Sequence, residues 1–310
     1  MISPIYHICN KSPRIIFRTK EDYFTAINRL ASVSHQTKSE ILAFAIMSTH
    51  FHILLRTLNY EKFVKHYSTS YTKWFNAKYQ YKGKLFNIGK TDIKANSEIL
   101  NCADYIHQNP IHHNICSTAL QYLFSSANSY FHDDIICENY FEENTKPVNK
   151  KASELKNSTY RKMFGHTIIP NEWEIINESL ILPSTFLETK TLTHLYRNAR
   201  SYINHINKPL NKEIEFILIK NYKYADIKSK MKQESFKSQT YSEYYNYDEH
   251  ITKANRVTDI RICTFIERYI KAKNLNKTFI YLTPSEKENI WTEIRKHGVS
   301  RSHFLRCINF

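Results

Sequence analysis

The sequence predicts an α+β protein, with a ferredoxin-like antiparallel sheet and its helices in residues 1–130 and a mainly helical, basic remainder. Three observations carry this. Short β-rich runs alternate with stretches of helical apolar spacing in the order β-α-β-β-α-β-α. Past residue 160 the strand signals give way to helix caps and helical spacing. The 310 residues are 42% hydrophobic and 24% charged, a globular composition with room for two ordinary domains.

The elements follow in order. Residues 6–12 read as a strand. In residues 20–34, Tyr23, Ile27, Leu30 and Ala31 share one helical face. Residues 40–47 and 51–57 are apolar runs separated by Ser48 and Thr49, a strand or hairpin pair. Residues 60–81 contain neither Gly nor Pro and read as a long basic, aromatic helix. Residues 84–95 suggest another strand and 97–109 another helix, which Pro110 should end because a residue before proline avoids helical angles. This order is close to a split βαβ sandwich with helices on one face of the sheet.

Between 131 and 160 the composition changes. Asp133, Asp134, Glu138, Glu142 and Glu143 give way to the lysine-rich NTKPVNKKASELKNS, which places a polar connection there and a second domain at 161–310. Near the end, Thr283, Pro284, Ser285 and Glu286 spell a capping box with proline at the first helical position. That helix should reach about residue 296, with Gly298 ending it and Ser300 capping a second helix to 308. The pair is compatible with a helix-turn-helix reader whose Arg301 and Arg306 contact DNA; an αα-hairpin packed on its own domain fits equally well. The stretch YSEYYNYD at 241–248 is locally biased, and there is no internal repeat.

A formal net charge of +15 suits a polyanionic partner, and nucleic acid is the usual one. The 22 tyrosines and 18 phenylalanines, interleaved with lysines, suit single strands whose bases stack on rings, although many must be core. No stretch approaches the roughly 20 apolar residues of a membrane span, and the first residues do not read as a signal peptide. A cytoplasmic, nucleoid-associated protein without a membrane partner is expected. Six scattered cysteines without a CxxC pair argue against a disulfide framework and against structural zinc.

The chemistry concentrates in two stretches. In FAIMSTHFHILLRT, His50 and His52 stand two apart in a strand, so both imidazoles share one face. Two buried imidazoles call for a partner, and a divalent metal is one; with 15 histidines present, the spacing alone also arises by chance. In NCADYIHQNP, Tyr105 and Asn109 lie four apart on one helical face. Alone, Tyr105 reads as a packing residue and Asn109 as a helix cap. Together with the histidines they match what phosphodiester cleavage requires. Tyr105 supplies the attacking oxygen, and a metal on His50 and His52, with Asn109 as third ligand, polarises the phosphate. His107 should point away from Tyr105, while His112 and His113 read as surface or phosphate contacts.

MSTHFHILLRT resembles the His-hydrophobic-His strand of the HUH endonuclease superfamily, in the form found in REP-associated single-tyrosine transposases. YHICNKSPRIIF resembles that family's opening strand, KLFNIGK its "L-F-x-x-R" strand, ADYIHQNPIHHNI its "Y-I-x-x-N-P" helix end, and YLFSSANSYF its "W-S-S-x-x-x-Y" segment. The resemblance covers roughly residues 1–130. It implies a nuclease acting on single-stranded, hairpin-associated DNA with Mg²⁺ or Mn²⁺, through a 5′-phosphotyrosine on Tyr105 and a free 3′-hydroxyl. His50, His52 and Asn109 carry over as metal ligands. The family's arginine after L-F-x-x is unmatched, with Lys90 or Lys94 as substitutes, and Ile111, His112, His113 and Asn114 replace its small-residue turn. A homodimer, with Tyr105 acting within or across subunits, stays open. Two further readings compete: a catalytically retired nucleic-acid-binding regulator, and a hydrolase of small phosphoesters, which would leave the +15 charge unexplained.

Overall fold

In the computed structural model, residues 3–116, 118–131, 149–176, 178–207 and 257–310 are described. The acidic cluster at 133–143, Cys137 and the biased stretch 241–248 lie outside them. Seven elements occupy the first 112 residues in the predicted order: β1 (Ile5–Lys11), α1 (Lys20–Thr37), β2 (Glu40–Ile46), β3 (His50–Arg56), α2 (Tyr60–Tyr79), β4 (Ile88–Ile93) and α3 (Asn96–His112). The strands form one antiparallel sheet in the order β2-β3-β1-β4, so β1 and β2 flank β3 as a split βαβ unit requires.

The alternation of β3 decides the layering. The ring of Phe51 packs on Tyr67 of α2, whereas the next residue, His52, meets Tyr105 of α3. Adjacent strand residues point to opposite faces, so α2 and α3 lie on opposite sides of the sheet. The expectation of helices on one face holds for α1 and α2, which pack together, and is corrected for α3.

Helix α2 docks through Phe63, Tyr67, Tyr71, Phe75 and Tyr79, all buried and spaced by four. That spacing drifts slowly around a helix, giving one continuous aromatic seam. These rings are core rather than a base-stacking surface. Helix α1 starts where the buried Asp22 carboxylate accepts from the backbone N–H groups of Arg18 and Thr19, with the Lys78 ammonium 2.6 Å away. Helix α3 corrects a second expectation: it runs through Pro110 to His112. Proline so close to the end removes one helical hydrogen bond, a small loss against the burial of Ile106, Pro110 and Ile111.

The outer edge of β2 is covered by residues 124–126, where Ile46 N–H donates to the Phe124 carbonyl and Ser126 N–H to that of Phe44. β4 forms the opposite edge. It is short, largely exposed and carries Gly89, Lys90 and Asp92.

Past residue 149 the chain is not wholly helical. A three-stranded sheet, β5 (Asn149–Lys151), β6 (Glu174–Ile176) and β7 (Leu180–Ile181), packs with α4 (Asn157–Phe164) against α1. Its strands have two or three residues each, too few for alternation to be legible. Two helices follow, α5 (Lys190–Tyr196) and α6 (Ala199–Ile206), and the Asp104 carboxylate of α3 accepts from both Tyr196 and His205.

The last segment forms α7 (Asp259–Ala272), α8 (Pro284–Ile294) and α9 (Arg301–Ile308). The caps are those expected: Thr283 accepts from Glu286 N–H, Gly298 takes φ +75°, and Ser300 accepts from His303 N–H. α9 packs on α7 through Phe304, Cys307 and Ile308. These buried residues are continuous with the core of the first 130. Arg18 lies at the centre of this join. Its fully buried guanidinium donates to the Cys307 carbonyl at 2.8 Å, lies 3.3 Å from the Phe279 ring centroid, and approaches Glu267 at 3.7 Å.

Candidate active site

β3 and α3 each contribute two residues to one place. His50 and His52 leave β3 on the α3 side, and Tyr105 and Asn109 occupy successive turns of α3 facing them. His50 Nε2 and Asn109 Oδ1 are 2.9 Å apart. The Tyr105 ring stands edge-on to His52, centroid to centroid 5.1 Å. Asn109 and His52 are buried, while Tyr105 is 40% exposed, so the phenol reaches solvent from a fixed base.

β1 adds a residue that the sequence did not single out. Its register sets Cys9 opposite His52, and His7, two residues away on the same face, places Nε2 3.0 Å from His52 Nδ1. Antiparallel register determines this diagonal pair, and register cannot be read from a lone strand. His50 Nδ1 is held 3.0 Å from Thr49 Oγ1. His50 thus has Nδ1 fixed by Thr49 and Nε2 on Asn109 of α3, and His52 has Nδ1 fixed by His7, the arrangement in which an outer hydrogen bond orients a metal-ligating histidine.

Burial keeps these rings neutral. It pushes His52 down to about 3, with the nearby His7, His50 and His113 adding to it. Burial also lowers His50, against the opposing hydrogen bond to Asn109 and with help from His113, Lys11 and Arg306. Neutral imidazole is the ligating form.

His50 and Asn109 have the spacing of two ligands of one divalent ion. Two donors of one octahedral ion at about 2.0–2.1 Å stand roughly 2.9 Å apart, the separation of His50 Nε2 and Asn109 Oδ1. Without an ion, His50 Nε2–H donates to Asn109 and Thr49 donates to Nδ1. To hold an ion, His50 would carry its proton on Nδ1, donated to Thr49, and would offer the Nε2 lone pair.

Lys90 is not brought to this place. It pairs with Ile8 in the sheet and turns to the α2 side, its ammonium 4.6 Å from the Tyr60 ring centroid. Lys94 lies exposed just beyond β4. Arg301 pairs with Glu288 and stacks on Trp291. Arg306 pairs with Asp259 at 2.9 Å and lines, with His50, His113, Asp259 and His303, a cleft of about 460 Å³. The exposed His113 sits 5.0 Å from His50, centroid to centroid.

His107 turns away from Tyr105, as its place in the helix predicts. It is fully buried, bonded to Ser126 Oγ at 2.9 Å, and pushed down to about 3 by burial. A histidine whose folded value lies below its ordinary 6.5 contributes stability above pH 6.5 that is lost as the pH falls towards 3. Between pH 7 and 5 the melting temperature should therefore drop, His107 alone contributing about 2 kcal/mol at pH 5. His107→Gln should flatten that dependence. A wild-type melting temperature constant over this range would mean that His107 does not stay neutral in the fold.

No family model and no curated protein matches the chain. Among solved structures, a REP-associated tyrosine transposase bound to a REP hairpin aligns at a TM-score of 0.35 with 16% identity, covering 44% of this chain and 81% of that one. At that score no residue equivalence follows. Among the described residues, no helix is long and apolar enough to cross a membrane.

Proposed function

We propose that the protein is a metal-dependent, single-tyrosine DNA nickase and strand transferase, acting on single-stranded, hairpin-associated DNA. The observation that carries this reading is the convergence of Tyr105, His52, His50 and Asn109 from two separate elements. Tyr105 attacks the scissile phosphorus. The P–O3′ bond breaks, the 3′ oxygen takes a proton, and a 5′-phosphotyrosine remains for the reverse step. His50, His52 and Asn109 would hold Mg²⁺ or Mn²⁺, which supplies Lewis-acid polarisation of the phosphate and lowers the cost of the phenolate. His7 orients His52, and Thr49 orients His50. The α3 backbone holds Tyr105 and Asn109 one turn apart, so that attack and phosphate binding share one frame. All four groups meet within one chain, which favours Tyr105 acting in its own subunit. In this reading residues 1–130 form the nuclease unit and 161–310 a basic unit that recruits DNA.

The test is incubation with labelled single-stranded hairpin DNA and Mn²⁺, followed by a denaturing gel. A protein–DNA adduct lost on chelation is expected. Salt-sensitive binding across a broad hairpin pool without any adduct would sink the enzyme reading and leave a binding regulator. His7→Ala should raise the Mn²⁺ needed for half-maximal adduct formation by roughly 10–100-fold, the usual effect of removing a ligand's hydrogen-bond partner. An unchanged Mn²⁺ titration would remove His7 from that role.

A further inference from the structure

The last helices carry a second cluster of ligand-type side chains. Asp259 and Cys263 lie four apart on α7, and His303 and Cys307 lie four apart on α9, so each pair occupies one helical face. The helices pack with these faces together. His303 Nε2 donates to Asp259 Oδ1 at 2.7 Å, and the Cys307 Sγ lies 3.8 Å from the same oxygen. Donor atoms of Asp259, His303 and Cys307 all fall within 4.8 Å of one another. Cys263, one turn along α7 from Asp259, stands just outside that set and is fully buried, as is Cys307.

We propose that Asp259, His303 and Cys307 form a zinc centre that pins α9 to α7 beside the cleft, with Cys263, one turn from Asp259, drawn in as the fourth ligand. Two thiolates, an imidazole and a carboxylate are a donor set that tetrahedral zinc accepts, and sulfur donors disfavour Mg²⁺ and Mn²⁺. The surroundings are already arranged for it. The second carboxylate oxygen of Asp259 accepts from Ser48 Oγ at 2.6 Å and pairs with Arg306 at 2.9 Å, leaving Oδ1 turned into the cluster.

Arg18 supplies an independent observation. It is fully buried, its electrostatic field reaches Cys263 and Cys307, and its Nε and Nη2 make no hydrogen bond. Its carboxylate partner Glu267 stands at 3.7 Å, and thiolates at Cys263 and Cys307 would add compensation that neutral thiols do not. Zinc entry releases two thiol protons to solvent. The ion, two thiolates and the carboxylate then leave one net negative charge, which Arg18 and Arg306 face. Zinc–ligand distances imply donor separations of about 3.3–3.8 Å, so the His303–Asp259 contact opens by roughly 0.6 Å. The cysteines are scattered in sequence because helix packing, not a CxxC loop, gathers them.

The full-length protein, reduced, loaded with Zn²⁺ and desalted, should retain one zinc per chain by elemental analysis. Cobalt loading should give the tetrahedral d–d bands and a thiolate-to-cobalt charge-transfer band, a readout on the unmodified chain. Both signals should survive in His50→Ala/His52→Ala and vanish in Cys263→Ser/Cys307→Ser. Absence of retained metal and of the charge-transfer band would overturn the proposal and leave a hydrogen-bonded cluster. A mass two hydrogens lower without reductant would overturn it in favour of a disulfide. Zinc lost only in the histidine variant would place the ion at the other site and overturn it equally.

Discussion

Tyr105→Phe is expected to abolish the covalent protein–DNA adduct, lowering its rate of formation by on the order of 10³-fold or more, while DNA binding stays near wild type. The substitution removes one oxygen and keeps the ring that stands edge-on to His52 and His7. Stability should shift by no more than about 0.5 kcal/mol, because a 40% exposed position carries little packing. A quenched time course on a denaturing gel, beside equilibrium binding of the same hairpin, separates the two effects. Undiminished adduct in the phenylalanine protein would mean that another residue attacks. Parallel loss of adduct and binding would mean that Tyr105 holds DNA rather than cuts it.

The second large effect belongs to Arg18. Arg18→Met should cost about 3–5 kcal/mol in urea unfolding, the range for breaking a buried pair by removing one partner. Methionine fills much of the volume but leaves the Cys307 carbonyl without its donor, Glu267 without its cation, and the Phe279 ring without the guanidinium over it. Because those partners lie in the last third of the chain, residues 257–310 should also become the first segment cut in limited proteolysis. A loss under about 1 kcal/mol would show that the remaining contacts, among them Thr278 and Tyr281 donating to the Tyr79 and Gln80 carbonyls, hold the C-terminal helices without Arg18.

Much of this was legible in the sequence, for identifiable reasons. The first seven elements and the caps at Thr283, Gly298 and Ser300 follow from local rules: alternation, helical spacing, and side chains that satisfy the first free N–H groups. The facing of His50 with His52, and of Tyr105 with Asn109, is a matter of period within one element. What local rules cannot supply is register and docking. His7 joins His52 through the alignment of β1 on β3. Asp259, His303 and Arg306 reach the cleft beside His50 because α7 and α9 fold back over roughly 200 residues of chain. Pro110 misleads because its effect depends on how much helix remains after it.

Among the described residues β4 leaves one edge of the sheet open, which changes the meaning of charge substitutions made there. A strand with one unpaired row of amide and carbonyl groups can recruit a strand from another molecule, and natural proteins guard such edges with short strands and charged side chains. Lys90 and Asp92 are such guards, and Lys90 faces away from the histidines. Neutralising Lys90 therefore acts on self-association before it acts on DNA. A variant that loses activity only as its concentration rises has lost its colloidal protection, not a phosphate contact.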